Sequence, residues 1–135
     1  MENPLVLKWK GGQSFETEIN GFPLNITENP GKPGAIDNPK KLMLVSLVAC
    51  TAFDVVSILN KMKVEFSDFE IVVTATQTDT HPRIYKEVHL IYYFLAGEKI
   101  RLNIEKAVGL SQEKYCGVSE MFRQFCSLTY EIIYN

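Results

Sequence analysis

Three cysteines carry the chain's most distinctive chemistry: Cys50, Cys116 and Cys126. Cys50 sits in the apolar run SLVACTAFDVVSIL, with Asp54 four residues on. At that spacing a thiol and a carboxylate share one face of a helix. A carboxylate there raises a thiol's pKa and opposes its activation. From the residues alone, two readings of Cys50 stand side by side. It is a small core residue, as most cysteines on apolar helices are, or a reactive thiol. Asp54 likewise has two: a bond to a backbone amide or an exposed lysine, or a polar contact to a neighbouring loop or a partner chain. Cys126, at a strand entry, reads as core. His81 precedes Pro82 in a turn and reads as structural or solvated. Zinc looks poor, because the cysteines lack C-x-x-C spacing and His81 and His89 lie in a separate segment.

These residues need a scaffold, and 135 residues suffice for one domain, 1–135. The composition is 46% hydrophobic and 22% charged, which is globular. Fourteen basic and sixteen acidic residues are interspersed, with no basic stripe, so no nucleic-acid surface is expected. The N-terminal MENPLVLKWKGGQ has no signal-peptide pattern, and three cysteines make no even disulfide framework. These features suggest a cytoplasmic protein whose cysteines are free thiols, or one reactive pair plus a spare.

Leu5, Leu7 and Trp9 share a strand face, and Asn20-Gly21 marks a hairpin between SFETEI and FPLNIT. ENPGKPGAIDNP reads as a loop of about a dozen residues. Residues 38–62 read as a helix of about seven turns, capped by Asn38 with Pro39 at its first position. Its apolar stretch reaches about 18 residues, near the lower limit for a membrane span, but Ser46, Thr51, Asp54 and Ser57 interrupt it. A membrane role is therefore not expected. A helix apolar nearly all round needs cover on every side, which a second copy of the chain would supply. Strands follow at 66–78 and 83–97, with Ile84, Val88, Leu90, Tyr92 and Phe94 mostly on one face. A helix at 103–110, a turn at 111–116 capped by Ser111, a helix after Gly117 and a final strand from Ser127 complete the order β-β-β-α-β-β-α-α-β. Strands gathered in pairs indicate α+β.

Three stretches resemble one family. NPKKLMLVSLVACTAFDVVSIL is similar to the cysteine-bearing central helix of OsmC-like proteins, which include the organic hydroperoxide resistance proteins. HPRIYKEVHLIYYFLAG resembles the following strand, and AVGLSQEKYCGVSEMF the second cysteine motif, S-x-x-K-Y-C-x-V-S. The C-T-x-x-D-V-V version at Cys50–Val56 resembles a less characterised branch. The resemblance implies an intertwined homodimer, with antiparallel sheets wrapped around long central helices. It also implies thiol-based peroxide reduction. Cys50 would be the peroxidatic thiolate and Cys116 the resolving thiol. The partners would be a small-molecule peroxide and a dithiol reductant, and no metal or bound cofactor would be needed. Phe53, Met43 and Phe122 would offer an apolar pocket wall. The family's activating arginine and its glutamate have no counterparts: no arginine precedes Arg83, and the glutamate position falls at Lys40 or Lys41. Those lysines lie roughly 14–15 Å from Cys50 along a helix. Lys32, Arg83, Arg101 and Arg123 are the remaining candidate cations. The missing pair opens a second reading: a dimer that binds a small ligand or senses redox state without catalysis.

Overall fold

A computed structural model describes residues 3–28 and 33–135. Lys32 lies outside them. The chain falls into two compact units, Met1–Met43 and Leu44–Asn135.

The first unit is a four-stranded sheet in the order β1-β2-β3-β4: Lys8–Trp9, Ser14–Ile19, Phe22–Thr27 and Ala35–Ile36. The predicted hairpin forms at Asn20-Gly21. Both residues take positive φ, 51° and 81°, as a two-residue turn with the twist of its strands requires. The first strand is shorter than its alternation suggests, and Leu5, Leu7 and Trp9 are exposed. Part of the predicted loop pairs as β4, parallel to β3.

The helix α1 spans Pro39–Lys61. Asn38 caps it as expected, its Oδ1 accepting from the Lys40 amide at 3.2 Å. In the second unit, α1 buries Leu47, Thr51, Val55 and Leu59, one stripe at four-residue spacing. That stripe joins the core formed with the second sheet and with the helix α2 (Glu98–Leu110). Apolar residues elsewhere on α1 stay uncovered within the chain: Phe53 is 78% exposed and Val45 57%.

The second sheet has the order β5-β6-β7: Asp68–Gln77, Tyr85–Leu95 and Ser127–Tyr134. β5 and β6 are antiparallel across the His81-Pro82 turn. β7 runs parallel to β6, so the expectation of purely antiparallel sheets is corrected here and at β4. The cause is the connection: two helices lie between β6 and β7, and such a crossover permits parallel return. β6 is the central strand and buries Val88, Leu90, Tyr92 and Phe94. A register shift at Thr76/Gln77 pairs Gln77 with Tyr85 but Thr76 with Glu87. That irregularity resets the alternation, so Tyr85 faces inward and Ile84 is exposed. Phe69 stacks on Phe94 with ring centroids 4.4 Å apart.

The helix α2 begins earlier than predicted, directly after Gly97, with Glu98 favourably placed in its first turn. Ser111–Tyr115 then forms a π-helical turn, closed by the Cys116 amide bonding to the Ser111 carbonyl at 2.7 Å. Cys116 is extended, and α3 covers Gly117–Arg123. Gly117 therefore starts α3, and the break falls at Cys116.

Candidate functional site

The wide π turn is what brings the two cysteine segments together. It turns Ser111 and Gln112 inward, both buried, and delivers Cys116 to the face of α1 that carries Cys50 and Asp54. The two sulfurs and a carboxylate oxygen of Asp54 all lie within 4.8 Å of one another. Cys50 is half-buried and Cys116 buried, and all three cysteines are free thiols.

Cys116 caps α3, its sulfur accepting from the Ser119 amide at 3.3 Å. Burial pushes the Cys116 thiol up. Ser119 pulls it down through hydroxyl and amide, while the Cys50 sulfur beside it pushes it up. The Ser119 hydroxyl is fully buried and has no well-aligned hydrogen-bond partner among the described residues. Its electrostatic effect falls on the Cys116 sulfur, whose ionised form it favours.

Behind the sulfurs runs a buried chain of polar groups. Gln112 Nε2 donates to Tyr92 OH at 2.7 Å and, more weakly, to Thr51 Oγ1 at 3.4 Å. Thr51 Oγ1 lies 2.7 Å from Tyr92 OH and 2.8 Å from Ser111 Oγ. Ser111 Oγ donates to Asp54 Oδ2 at 3.0 Å. Each hydroxyl has one proton, which fixes the directions. Ser111 gives its proton to Asp54, so Thr51 donates to Ser111 and Tyr92 donates to Thr51. Arg123 Nη1 reaches Gln112 Oε1 at 3.5 Å. The donors thus run one way, from Arg123 to the carboxylate beside both thiols.

Burial pushes the Tyr92 phenol up to about 12, against the pull of Thr51 and Gln112. The folded chain therefore holds this proton more tightly than the unfolded chain, whose tyrosines ionise near about 10. The stability this supplies is complete below about pH 10 and is lost as pH rises from about 10 to about 12. Melting temperature measured across that window is expected to fall, and Tyr92→Phe is expected to flatten the fall. A slope unchanged in Tyr92→Phe would contradict the assignment.

Of the residues singled out by sequence, Cys50, Cys116 and Asp54 come together. The separation of the cysteines along the chain made a metal site look poor; in space, three ligand atoms converge. Asp54 bonds the Ser111 hydroxyl of the π turn, rather than a backbone amide or a lysine, which is the neighbouring-loop alternative. Ser111 does not N-cap the following turn, because its backbone is helical and its side chain enters the buried chain; it closes the C-terminal end of α2 instead. Cys126 packs against the core, as expected. Phe122 is a core residue, 2% exposed. His81 and Arg83 are exposed in the β5–β6 turn. Arg101 lies 4.6 Å from the Tyr134 ring centroid and bonds the Ala96 carbonyl, and Arg123 bonds Gln112 and Glu120. A groove of about 470 Å³ opens beside Asp54, between Ile58, Met62 and Leu110, with Lys61 and Lys106 also lining it. Thr51, Tyr92 and Gln112 were not singled out by sequence. The available signal was polarity at inward positions, since a buried hydroxyl on an apolar stripe must find a partner.

Two sheets, a long cysteine-bearing helix and a second cysteine at a helix break define the architecture of a known class. Residues 32–131 match the sequence profile of the OsmC family, the OsmC-like proteins, and the chain belongs to that family. It is 30% identical over 131 residues to Protein YhfA of Escherichia coli K12, covering 94% of this chain and 96% of YhfA. A crystal structure of a hypothetical protein from Aquifex aeolicus VF5 superposes with a TM-score of 0.78 at 28% identity, covering 100% of this chain and 99% of that one. The organic hydroperoxide resistance protein OhrB of Bacillus subtilis shares the fold, with a TM-score of 0.67 at 16% identity, over 97% of this chain and 98% of that one.

Proposed function

We propose that this protein is a thiol-dependent redox protein that reduces hydroperoxides through Cys50 and Cys116. One observation carries the reading: two free sulfurs, on different elements, inside a 4.8 Å cluster. The Cys50 thiolate attacks the peroxide and the O–O bond breaks. Cys50 becomes a sulfenic acid, and the leaving alkoxide takes a proton to become an alcohol. Cys116 sulfur then attacks Cys50 sulfur. The S–OH bond breaks, and the hydroxyl leaves with the Cys116 proton as water. A dithiol reductant returns both sulfurs to thiols by exchange.

Burial supports this assignment of roles. Cys50 is half-buried, whereas Cys116 is buried, which favours Cys50 as the sulfur that meets substrate. Burial and the Cys50 sulfur keep Cys116 protonated, which suits the thiol that acts second. The exposed apolar residues Phe53 and Val45 on α1 support a homodimer in which a second copy covers them. On this reading residues 1–135 act as one domain, and the free thiols suit a reducing cytoplasm.

Stopping the cycle halfway tests the assignment of roles. In Cys116→Ser, one equivalent of organic hydroperoxide is expected to leave Cys50 as a sulfenic acid, trapped by dimedone and located by mass spectrometry. A dimedone adduct on Cys126 instead, or none, would overturn it. Unreactive thiols in the unmodified chain would favour a dimer that binds a ligand without catalysis.

A further inference from the structure

The peroxide chemistry makes no use of Asp54. Its carboxylate stands with both sulfurs in one cluster, the three ligand atoms within 4.8 Å of one another. Two sulfurs and a carboxylate oxygen converging in this way make a ligand set for a cation.

We propose that Cys50, Cys116 and Asp54 form a binding site for a thiophilic divalent ion of the zinc type, held by two thiolates and one carboxylate oxygen. Donor chemistry selects the ion. Two sulfurs and a single oxygen suit zinc and disfavour magnesium or calcium, which take oxygen ligands. Geometry agrees. Three atoms within 4.8 Å of one another fit inside a circle of radius about 2.8 Å. Zinc requires about 2.3 Å to sulfur and about 2.0–2.2 Å to a carboxylate oxygen. Small side-chain rotations close that gap of about half an ångström.

The surroundings are built as ligand supports are built. Ser111 orients Asp54 by donating to Oδ2 at 3.0 Å, which leaves Oδ1 for the ion. The Ser119 amide donates to Cys116 Sγ at 3.3 Å, which fixes the sulfur's direction. Three protein ligands leave one position for water.

Occupancy would withdraw both sulfurs from peroxide, a consequence that rests on the redox reading above. Oxidation of the loaded site balances. The two thiolates lose two electrons and join as a disulfide, and the ion departs. The peroxide takes those electrons and two protons, giving an alcohol and water.

The test is an anaerobic titration of the reduced full chain with Co²⁺ alone, followed by absorption spectroscopy. One Co²⁺ per chain is expected, with a sulfur-to-cobalt charge-transfer band and tetrahedral visible bands, both displaced by Zn²⁺. Cys50→Ser and Cys116→Ser should each weaken the charge-transfer band, and Cys126→Ser should leave it intact. Asp54→Asn, which keeps an acceptor for Ser111, should lower Co²⁺ affinity about 10-fold or more. No charge-transfer band, a band insensitive to Cys50→Ser, or unchanged affinity in Asp54→Asn would overturn the site. Peroxide plays no part in this readout, so failure here and failure of the redox reading are separate results.

Discussion

Cys50→Ser is expected to slow peroxide-dependent loss of the remaining thiols by about 10³-fold or more, to the rate of an ordinary exposed cysteine. A serine hydroxyl is hardly ionised near neutral pH and is a far weaker nucleophile than a thiolate, so the first step has no substitute. Cys116 does not replace it, because it is buried and its thiol is pushed up. The single-turnover rate of thiol loss after mixing with an organic hydroperoxide measures the effect. Cys126→Ser is the control and should react at the unmodified rate, since Cys126 packs against the core away from the cluster. Equal rates in Cys50→Ser and the unmodified chain would remove Cys50 from the chemistry.

Thr51→Val is expected to cost about 2–3 kcal/mol of stability, the scale of buried polar groups left short of partners. The substitution is nearly isosteric, so little of the loss comes from packing. Thr51 Oγ1 meets Tyr92 OH, Ser111 Oγ and Gln112 Nε2, all buried. Tyr92 and Gln112 keep one another, and Ser111 keeps Asp54, so the network is cut rather than dissolved. Thr51→Ser retains the hydroxyl and should cost about 1 kcal/mol, the scale of one buried methyl. Urea unfolding of the three proteins decides. A Val variant as stable as the unmodified chain would mean that the polar chain contributes nothing to the fold.

What the sequence revealed divides along physical lines. Local signals were legible: Asn38 and Pro39 opened α1, Asn20-Gly21 made the hairpin, and alternation marked β6. That Cys50 and Cys116 lie near one another was legible through their motifs. Features set by distant pairing were not. Nothing near Ser127–Tyr134 states that β7 returns parallel to β6, because that follows from the crossover through α2 and α3. The shift at Thr76/Gln77 reversed the reading at Ile84 and Tyr85, since one irregular pair resets every inward position beyond it. The π turn was hidden because its residues look helical. A wider turn at Ser111–Tyr115 made Ser111 a buried donor instead of that turn's N-cap. Asp54 was visible as a puzzle beside Cys50, but its partner is an element far along the chain.

The most direct test of the central claim is to map the disulfide formed by one turnover. Reduced protein is treated with one equivalent of organic hydroperoxide, alkylated, digested and examined by mass spectrometry. The account predicts a Cys50–Cys116 disulfide, with Cys126 alkylated as a free thiol. Cys50 and Cys116 both recovered as free thiols, or a disulfide that includes Cys126, would contradict it.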